Sequence, residues 1–498
     1  MQWYGDAAPQ GRGRRQEGAL LAEILTPDLC VIGAGLGGLT AATEARALGG
    51  SVVLIERDRM GGDYLNTGAV PARALAAAAA HAHAVRSGVP FGIAADEPRI
   101  HARKVHDAVE QVIEGLAPHE AAARVEALGA TVIKADARFL DDRTVVAGDV
   151  SVRARRFVIA TGARSVVPPI PGLESVPYFT SETIFDNSRK LTHLVVIGGG
   201  ATGLEIAQSY GRLGTAVTVV DPSVPLATSD PELVAVALER MGAEGVSIRP
   251  GTEVVQIQPR SQGIGIIIRT GDREEMLDAS HILIANGKAP NLDGLDLDKA
   301  GIRRSSGDPL RLELNQALRT SNRRVYAVGD AAGIDQRNDL AAHHARVVVR
   351  SALLGLPVRA DADRVPTVVF TDPEIAEVGM VEPEARKRLG VGYTVLRTSL
   401  ADNDRAKATQ QGYGLIKLIV NGKGRILGAG IVGDRAGELI ALFSLAISKR
   451  MSVGDLGSFP VPHTTLSQSI GRLAGEYSRQ SPIGPVMWRV VSLVRLLP

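Results

Sequence analysis

Apolar residues in this chain fall into short unbroken runs closed by glycine, and stretches of helical periodicity separate the runs. The segment "DLCVIGAGLGGLTAATEARALGGSVVLIER" shows the order in full: apolar run, glycine turn, amphipathic stretch, second apolar run. Runs of this length without polar alternation predict strands buried on both faces, so the segment reads as strand, turn, helix, strand. The same order returns in "HLVVIGGGATGLEIAQSYGRLGTAVTVVDPS". Three more runs, in "FVIATGARSVVPPIPGL", "HILIANGKAPN" and "TSNRRVYAVGDAAG", each predict a buried strand ending in a glycine turn. Further on, "VPTVVFTDPEIAEVGM", "DNDRAKA", "GLIKLIVNGKGRILGAGIVG" and "AGELIALFSLAISKR" alternate strand patterns with amphipathic helices. The pattern predicts an α/β protein built from two Rossmann-like units and a C-terminal α+β unit.

Spacing adds chemistry to this outline. Gly33, Gly35 and Gly38 stand in G-x-G-x-x-G register, and Glu56 ends the second strand of that unit. Glycines at these places permit a tight turn, close approach of a pyrophosphate and close helix packing, while the free N–H groups of the helix start attract phosphate. Glu56 would accept hydrogen bonds from ribose hydroxyls. The second unit repeats the arrangement with Gly198, Gly200, Gly203 and Asp221, so two dinucleotides are expected. Asp221 suits a free ribose 2′-hydroxyl and repels a 2′-phosphate, and the following "PSVPLATSD" has no Arg or Lys; NADH is expected in preference to NADPH.

Composition narrows the picture. A chain of 498 residues exceeds what one core usually supports, and two to four domains are expected. With 22% charged residues and a net charge of +2, nothing calls for a nucleic-acid partner. The 55 glycines fit a chain rich in tight turns. The single cysteine, Cys30, lies within the run "LCVIGAG" and reads as a small core residue. Without a second thiol there is no intrachain disulfide, no dithiol redox pair and no Cys-based metal site; no metal is expected. The N-terminal apolar stretch is interrupted by Glu23 and is too short for a signal peptide, so a cytoplasmic protein is expected.

The order of these motifs from about residue 28 to 475 resembles the class I pyridine nucleotide-disulfide oxidoreductases, the family of dihydrolipoamide dehydrogenase, glutathione reductase and mercuric reductase. The resemblance implies an FAD-binding domain over 28–164 and 289–362, an NAD(P)-binding domain over 165–288 and a dimerisation domain over 363–478. An N-terminal extension, 1–27, and an apolar, basic tail, 479–498, lie outside these. Carried over position by position, FAD would meet Gly33, Gly35, Gly38 and Glu56 in the first unit, then Gly62. It would also meet Ala160, Thr161 and Gly162 at one strand end, and Gly329 and Asp330 at another. Asp330 would hold the ribityl chain, and Leu340 and Ala341 would open a helix aimed at the flavin pyrimidine ring. The pyridine nucleotide would meet Gly198, Gly200, Gly203, Asp221 and Gly287. Relatives of this kind pair as two-fold dimers in which each C-terminal region completes the other subunit's flavin site, so a homodimer is implied.

The departures from the family are local. Its pattern G-G-x-C-x-N-x-G-C-x-P-x-K reads here "GGDYLNTGAVPAR", with Tyr64 and Ala69 in the two cysteine positions. Disulfide reduction needs one thiolate to receive flavin electrons and another to attack the substrate, and neither Tyr nor Ala can do either; disulfide reductase activity is expected to be absent. Arg73 stands where the family has a lysine that pairs near flavin N5 with a carboxylate, matched here by Glu205. The C-terminal H-P-T-x-S-E reads "HTTLSQ", which places His463 at the acid–base position and Gln468 where a carboxylate would orient it. His343 and His344 read as packing or interface residues.

These substitutions predict an FAD- and NAD(P)H-dependent oxidoreductase that keeps hydride transfer between nicotinamide and flavin and passes electrons to a non-disulfide acceptor. Room beside Ala69 and the ring and hydroxyl of Tyr64 suit a quinone or a conjugated small molecule. Three alternatives stand beside it: a flavin-mediated transhydrogenase, a flavin dehydrogenase or oxidase using Tyr64 or His463 as base, and a non-catalytic FAD-binding protein. The tail "GPVMWRVVSLVRLLP" is too short to span a bilayer. It reads as a segment packed on the protein or its dimer mate, with peripheral contact at the inner membrane face as the alternative.

Overall fold

The computed structural model describes residues 23–333, 337–480 and 485–495. Three five-stranded sheets organise the chain. The first is parallel, in the spatial order Val325–Ala327, Arg156–Ile159, Leu29–Ile32, Val52–Glu56 and Thr131–Lys134. Its centre is dry: Leu29, Cys30 and Val31 are fully buried, as a sheet covered on both faces requires. Burial pushes the Cys30 thiol well above its usual range, which removes it from thiolate chemistry.

The second sheet is also parallel, in the order Phe179–Thr180, His281–Ile284, His193–Ile197, Ala216–Val220 and Ser247–Arg249. A three-stranded antiparallel ribbon, Thr252–Pro259, Ile264–Thr270 and Arg273–Ala279, packs beside it. Two short antiparallel strands, Ala163–Ser165 and Lys288–Pro290, pair where the chain leaves the first sheet for the second and returns. The third sheet is antiparallel throughout, in the order Thr367–Val369, Glu374–Gly379, Ile426–Gly433, Leu415–Asn421 and Tyr393–Ser399. The helix Ala436–Ser448 buries Ile440 and Phe443 in its core.

In both parallel sheets a helix starts at the glycine turn after the central strand: Leu36–Ala47 in the first and Ala201–Arg212 in the second. Each begins at an extended glycine, Gly35 or Gly200, with no capping side chain, so the first-turn N–H groups keep no side-chain acceptor. The helix Asn338–Leu354 packs along Leu36–Ala47. A Cβ on Gly329 would come within 2.8 Å of the Ala341 Cβ, which explains the glycine there.

The expected N-terminal extension, 1–27, is described only in part. Residues 1–22 of the expected extension lie outside the described residues. Glu23–Leu25, however, is a strand paired in parallel with Val150–Val152. The tail contributes a ten-residue helix, Pro485–Val494, on which Val490, Leu493 and Val494 are exposed. Among the described residues, no helix is long and apolar enough to cross a membrane.

Candidate active site

The two glycine turns are built alike. At Gly33 (φ 101°) a Cβ would lie 2.4 Å from the Ala160 carbonyl oxygen, and at Gly198 (φ 113°) 2.4 Å from that of Ala285. At Gly38 and Gly203 a Cβ would strike the carbonyl oxygens of Gly33 and Gly198, at 1.8 and 2.2 Å. Only glycine closes either turn. The acids take parallel places. Glu56 accepts bonds from the backbone N–H groups of Ala34 (2.5 Å) and Asp58 (2.8 Å). Asp221 accepts them from Gly199 (2.6 Å), Ser223 (2.7 Å) and the Ser223 hydroxyl (2.7 Å). A carboxylate has about four acceptor sites, so both acids retain capacity for ribose hydroxyls.

The other sequence-predicted nucleotide residues gather at the carboxyl ends of the strands, where ligands enter open α/β sheets. Ala160 continues the strand Arg156–Ile159, and the Thr161 hydroxyl donates to the Asn291 carbonyl at 2.6 Å. Gly162 and Gly287 have φ of 69° and 87°, and neither has an atom within 4 Å of where a Cβ would sit; Gly200 is equally open. Gly62 (φ 58°) lies against Gly35, where a Cβ would approach to 2.8 Å. Gly329 and Asp330 form the turn after Val325–Ala327, and Leu340 and Ala341 are buried in the first turn of Asn338–Leu354.

After Gly61, the short helix Gly62–Asn66 leads into Ala69–Arg86, which packs against Ala201–Arg212. This packing joins residues 132 positions apart. The Arg73 guanidinium forms an ion pair with Glu205 and lies 3.9 Å over the Phe370 ring. The Phe370 N–H donates to the other Glu205 oxygen at 2.8 Å. Burial pushes the Glu205 carboxyl up, and Arg73 and the Phe370 N–H pull it back. Nε and Nη1 of Arg73 are buried donors without a partner among the described residues. Unmatched donors of this kind fit a bound cofactor with acceptor atoms.

Tyr64 takes a different direction from the one its sequence position implied. Its hydroxyl donates to Glu120 at 2.5 Å, and its ring packs with the cluster that contains Leu65 and Leu75. Burial first, then the Glu120 carboxylate, holds the phenol above its ordinary range. A phenol so held is a poor base, and this counts against the reading in which Tyr64 abstracts a substrate proton. The hydroxyl is engaged by Glu120 rather than offered to an acceptor.

His463 bonds neither Arg73, Glu205 nor Tyr64. It is exposed, and its Nδ1 lies 2.7 Å from the Gln468 amide nitrogen. The Gln468 oxygen accepts from the Thr465 N–H at 3.4 Å, which orients the amide to donate to Nδ1. In the neutral ring the proton then sits on Nε2, making that atom a donor rather than a base. A Gln468→Glu variant should reverse this, because a carboxylate accepts from Nδ1–H. Two-dimensional nitrogen-15 spectra of the imidazole would show the proton moving to Nδ1; no movement would refute the assignment. His344 is buried, and burial first, then His343, lowers its pKa to about 4.

Sequence reasoning missed one pair at this site. Lys288 Nζ lies 2.6 Å from Asp63, which also accepts from the Thr67 hydroxyl at 2.6 Å. Burial alone would lower the lysine's pKa, but Asp63, with Asp330 and Glu182 farther off, raises it. The pair ties the short helix Gly62–Asn66 to the return crossing between the sheets. Its members are 225 positions apart, and only the "NGK" turn hinted at a cation there.

Two glycine-turn units, linked by the packing of Ala69–Arg86 against Ala201–Arg212, define a two-dinucleotide architecture. Residues 27–348 match the family model described as pyridine nucleotide-disulphide oxidoreductase, and residues 365–474 match the dimerisation domain of the same group. The chain belongs to that family, whose members are oxidoreductases that bind FAD and pyridine nucleotide. The dimerisation-domain match supports a homodimer. A dihydrolipoyl dehydrogenase of Thermus scotoductus is 34% identical over 475 residues, 92% of this chain and 98% of the relative. A mercuric reductase of Streptomyces lividans is 31% identical over 450 residues, covering 89% and 94%. The crystal structure of LpdA from Mycobacterium tuberculosis superposes with a TM-score of 0.83 at 25% identity, covering 91% and 99% of the two chains.

Proposed function

We propose that the protein oxidises NADH through FAD and delivers the electrons to a small non-disulfide acceptor of the quinone class. The supporting observation is the Arg73–Glu205 pair with its unmatched donors, which stands while Tyr64 and Ala69 occupy the two cysteine positions. FAD supplies a two-electron carrier when bound. Around it, the open turns at Gly162, Gly200 and Gly287 leave room for cofactor atoms, and Glu56 and Asp221 accept from ribose hydroxyls. Arg73 holds a fixed positive charge and two unmatched donor nitrogens, Glu205 fixes its position, and the Phe370 ring covers its face. On the acceptor side Ala69 leaves space, and Tyr64, tied to Glu120, acts as a wall. With Nε2–H outward, His463 can donate a hydrogen bond to an acceptor oxygen, a role it would fill in a partner subunit's site.

The test is anaerobic reduction by NADH followed by addition of an acceptor. Menadione should reoxidise the flavin, while lipoamide and oxidised glutathione should not. Reoxidation by either disulfide, or none by menadione, would overturn the reading; reduction of an added NADP analogue would select transhydrogenation instead.

Nucleotide preference gives a separate prediction. Asp221 repels a 2′-phosphate, and Arg249 on the adjoining strand is directed to Glu275 at 3.9 Å. NADH should exceed NADPH in kcat/KM on the order of 10²-fold, as a like-charge clash of several kcal/mol implies. Asp221→Ala should narrow the ratio, and a parent enzyme indifferent to the 2′-phosphate would contradict the assignment.

A further inference from the structure

A cavity lies against the same helix pair. It is a cleft of about 560 Å³, counted with the solvent at its mouth, between the helix Ala102–Glu120, the helix Ala69–Arg86 and the segment 185–191. Its walls are Leu75, Val109, Phe185, Leu191, Tyr210 and Leu213, each less than 10% exposed. The polar groups inside are already engaged: the Tyr210 hydroxyl donates to the Ile184 carbonyl (3.3 Å) and the Thr215 hydroxyl to that of Leu191 (3.2 Å). The interior therefore offers mostly hydrocarbon, which suits an aliphatic chain.

The rim is charged with one sign. Arg189 and Lys190 line the mouth, both exposed, and neither side chain has an ion-pair partner among the described residues. The rim's His106 sits 3.2 Å from Asp107, whose carboxylate also pairs with Arg103, so that acid is already committed. A dry slot capped by two cations is complementary to an aliphatic tail with an anionic head.

We infer that this cleft binds a medium-chain aliphatic carboxylate, with the chain against Leu75, Val109 and Leu213 and the head at Arg189 and Lys190. The site is separate from the flavin reaction and does not depend on the acceptor proposed above. It does share helices with it: Leu75 is two residues beyond Arg73, and Tyr210 five beyond Glu205.

Sodium decanoate, titrated calorimetrically into the full-length FAD-loaded protein below its micellar concentration, tests the inference. One site per chain is expected. Affinity should fall about tenfold or more in an Arg189→Glu, Lys190→Glu double variant, and by a similar factor for decanol, which lacks the charge. Leu213→Trp should fill the slot and remove binding; because that variant alters packing, the exposed double variant carries the decision. Absence of binding by the parent protein, or unchanged affinity in the double variant, overturns the inference.

Discussion

On anaerobic mixing with NADH, an Arg73→Met variant is expected to bleach its flavin about 10² to 10³-fold more slowly than the parent, the usual cost of removing one positioned charge donor from an active site. The substitution removes the guanidinium whose Nε and Nη1 are buried without a partner among the described residues, and it strands Glu205, which burial already pushes toward the protonated form. Arg73→Lys retains a cation but gives up the planar fork and the stacking over Phe370, so it should fall between the two. Flavin content measured beside the rate separates lost cofactor from lost transfer. A methionine variant that holds FAD and is reduced as fast as the parent would sink the role given to the pair.

The largest effect on stability is expected at Lys417. Its side chain is 4% exposed, and its Nζ lies 2.8 Å from Asp230, 2.9 Å from Glu232 and 2.7 Å from Glu382. Asp230 and Glu232 open the helix Pro231–Ala243 beside the second sheet, whereas Lys417 lies in the third, so the cation staples the two together. Lys417→Met would leave the buried Asp230 carboxylate, with Glu232 and Glu382 beside it, without the lysine's counter-charge and should cost about 3 to 5 kcal/mol. Arg397, which also bonds Glu232 and Glu382, offsets part of this from its more exposed position.

The pH dependence follows from the same contacts. In Glu232 desolvation is the largest influence, but the bonds from Lys417 and Arg397 outweigh it and lower the pKa; in Glu382 the Lys417 bond leads and lowers it too. Stabilisation from these two acids is complete above their unfolded value near 4.5 and is lost as pH falls through the lower folded values. Without the lysine, the largest lowering influence on both acids is lost and only that of the arginines remains. The stability gap between parent and variant should therefore narrow on acidification, which urea unfolding at neutral pH and near pH 4 would measure. Nearby Glu377 is raised by burial and held down in part by Lys417, so removing the lysine moves it in the same direction as the other two acids.

The parallel sheets were legible because a strand covered on both faces must be apolar throughout, and runs such as "LCVI" and "HLVVI" carry that demand openly. Both glycine turns were legible because backbone crowding at Gly38 and Gly203 admits no other residue. Glu23–Leu25 was missed, since three residues at a sheet edge are too few to show a period. The site divided along similar lines. Arg73 and Glu205 could be named from motif register, but the partners of Tyr64 and Lys288 are set by packing between distant helices and loops. No local pattern announces that Glu120 will meet a phenol 56 positions earlier.

The solitary buried thiol has a consequence for electron accounting. A flavoenzyme with a dithiol beside its cofactor can bank a second electron pair in sulfur, and it becomes vulnerable to alkylation whenever that bank is open. Cys30 is sealed inside a sheet and no other sulfhydryl exists, so the polypeptide has no reservoir of its own. Under the proposed reaction each electron pair taken in must be discharged before the next arrives, and iodoacetamide should leave the activity intact.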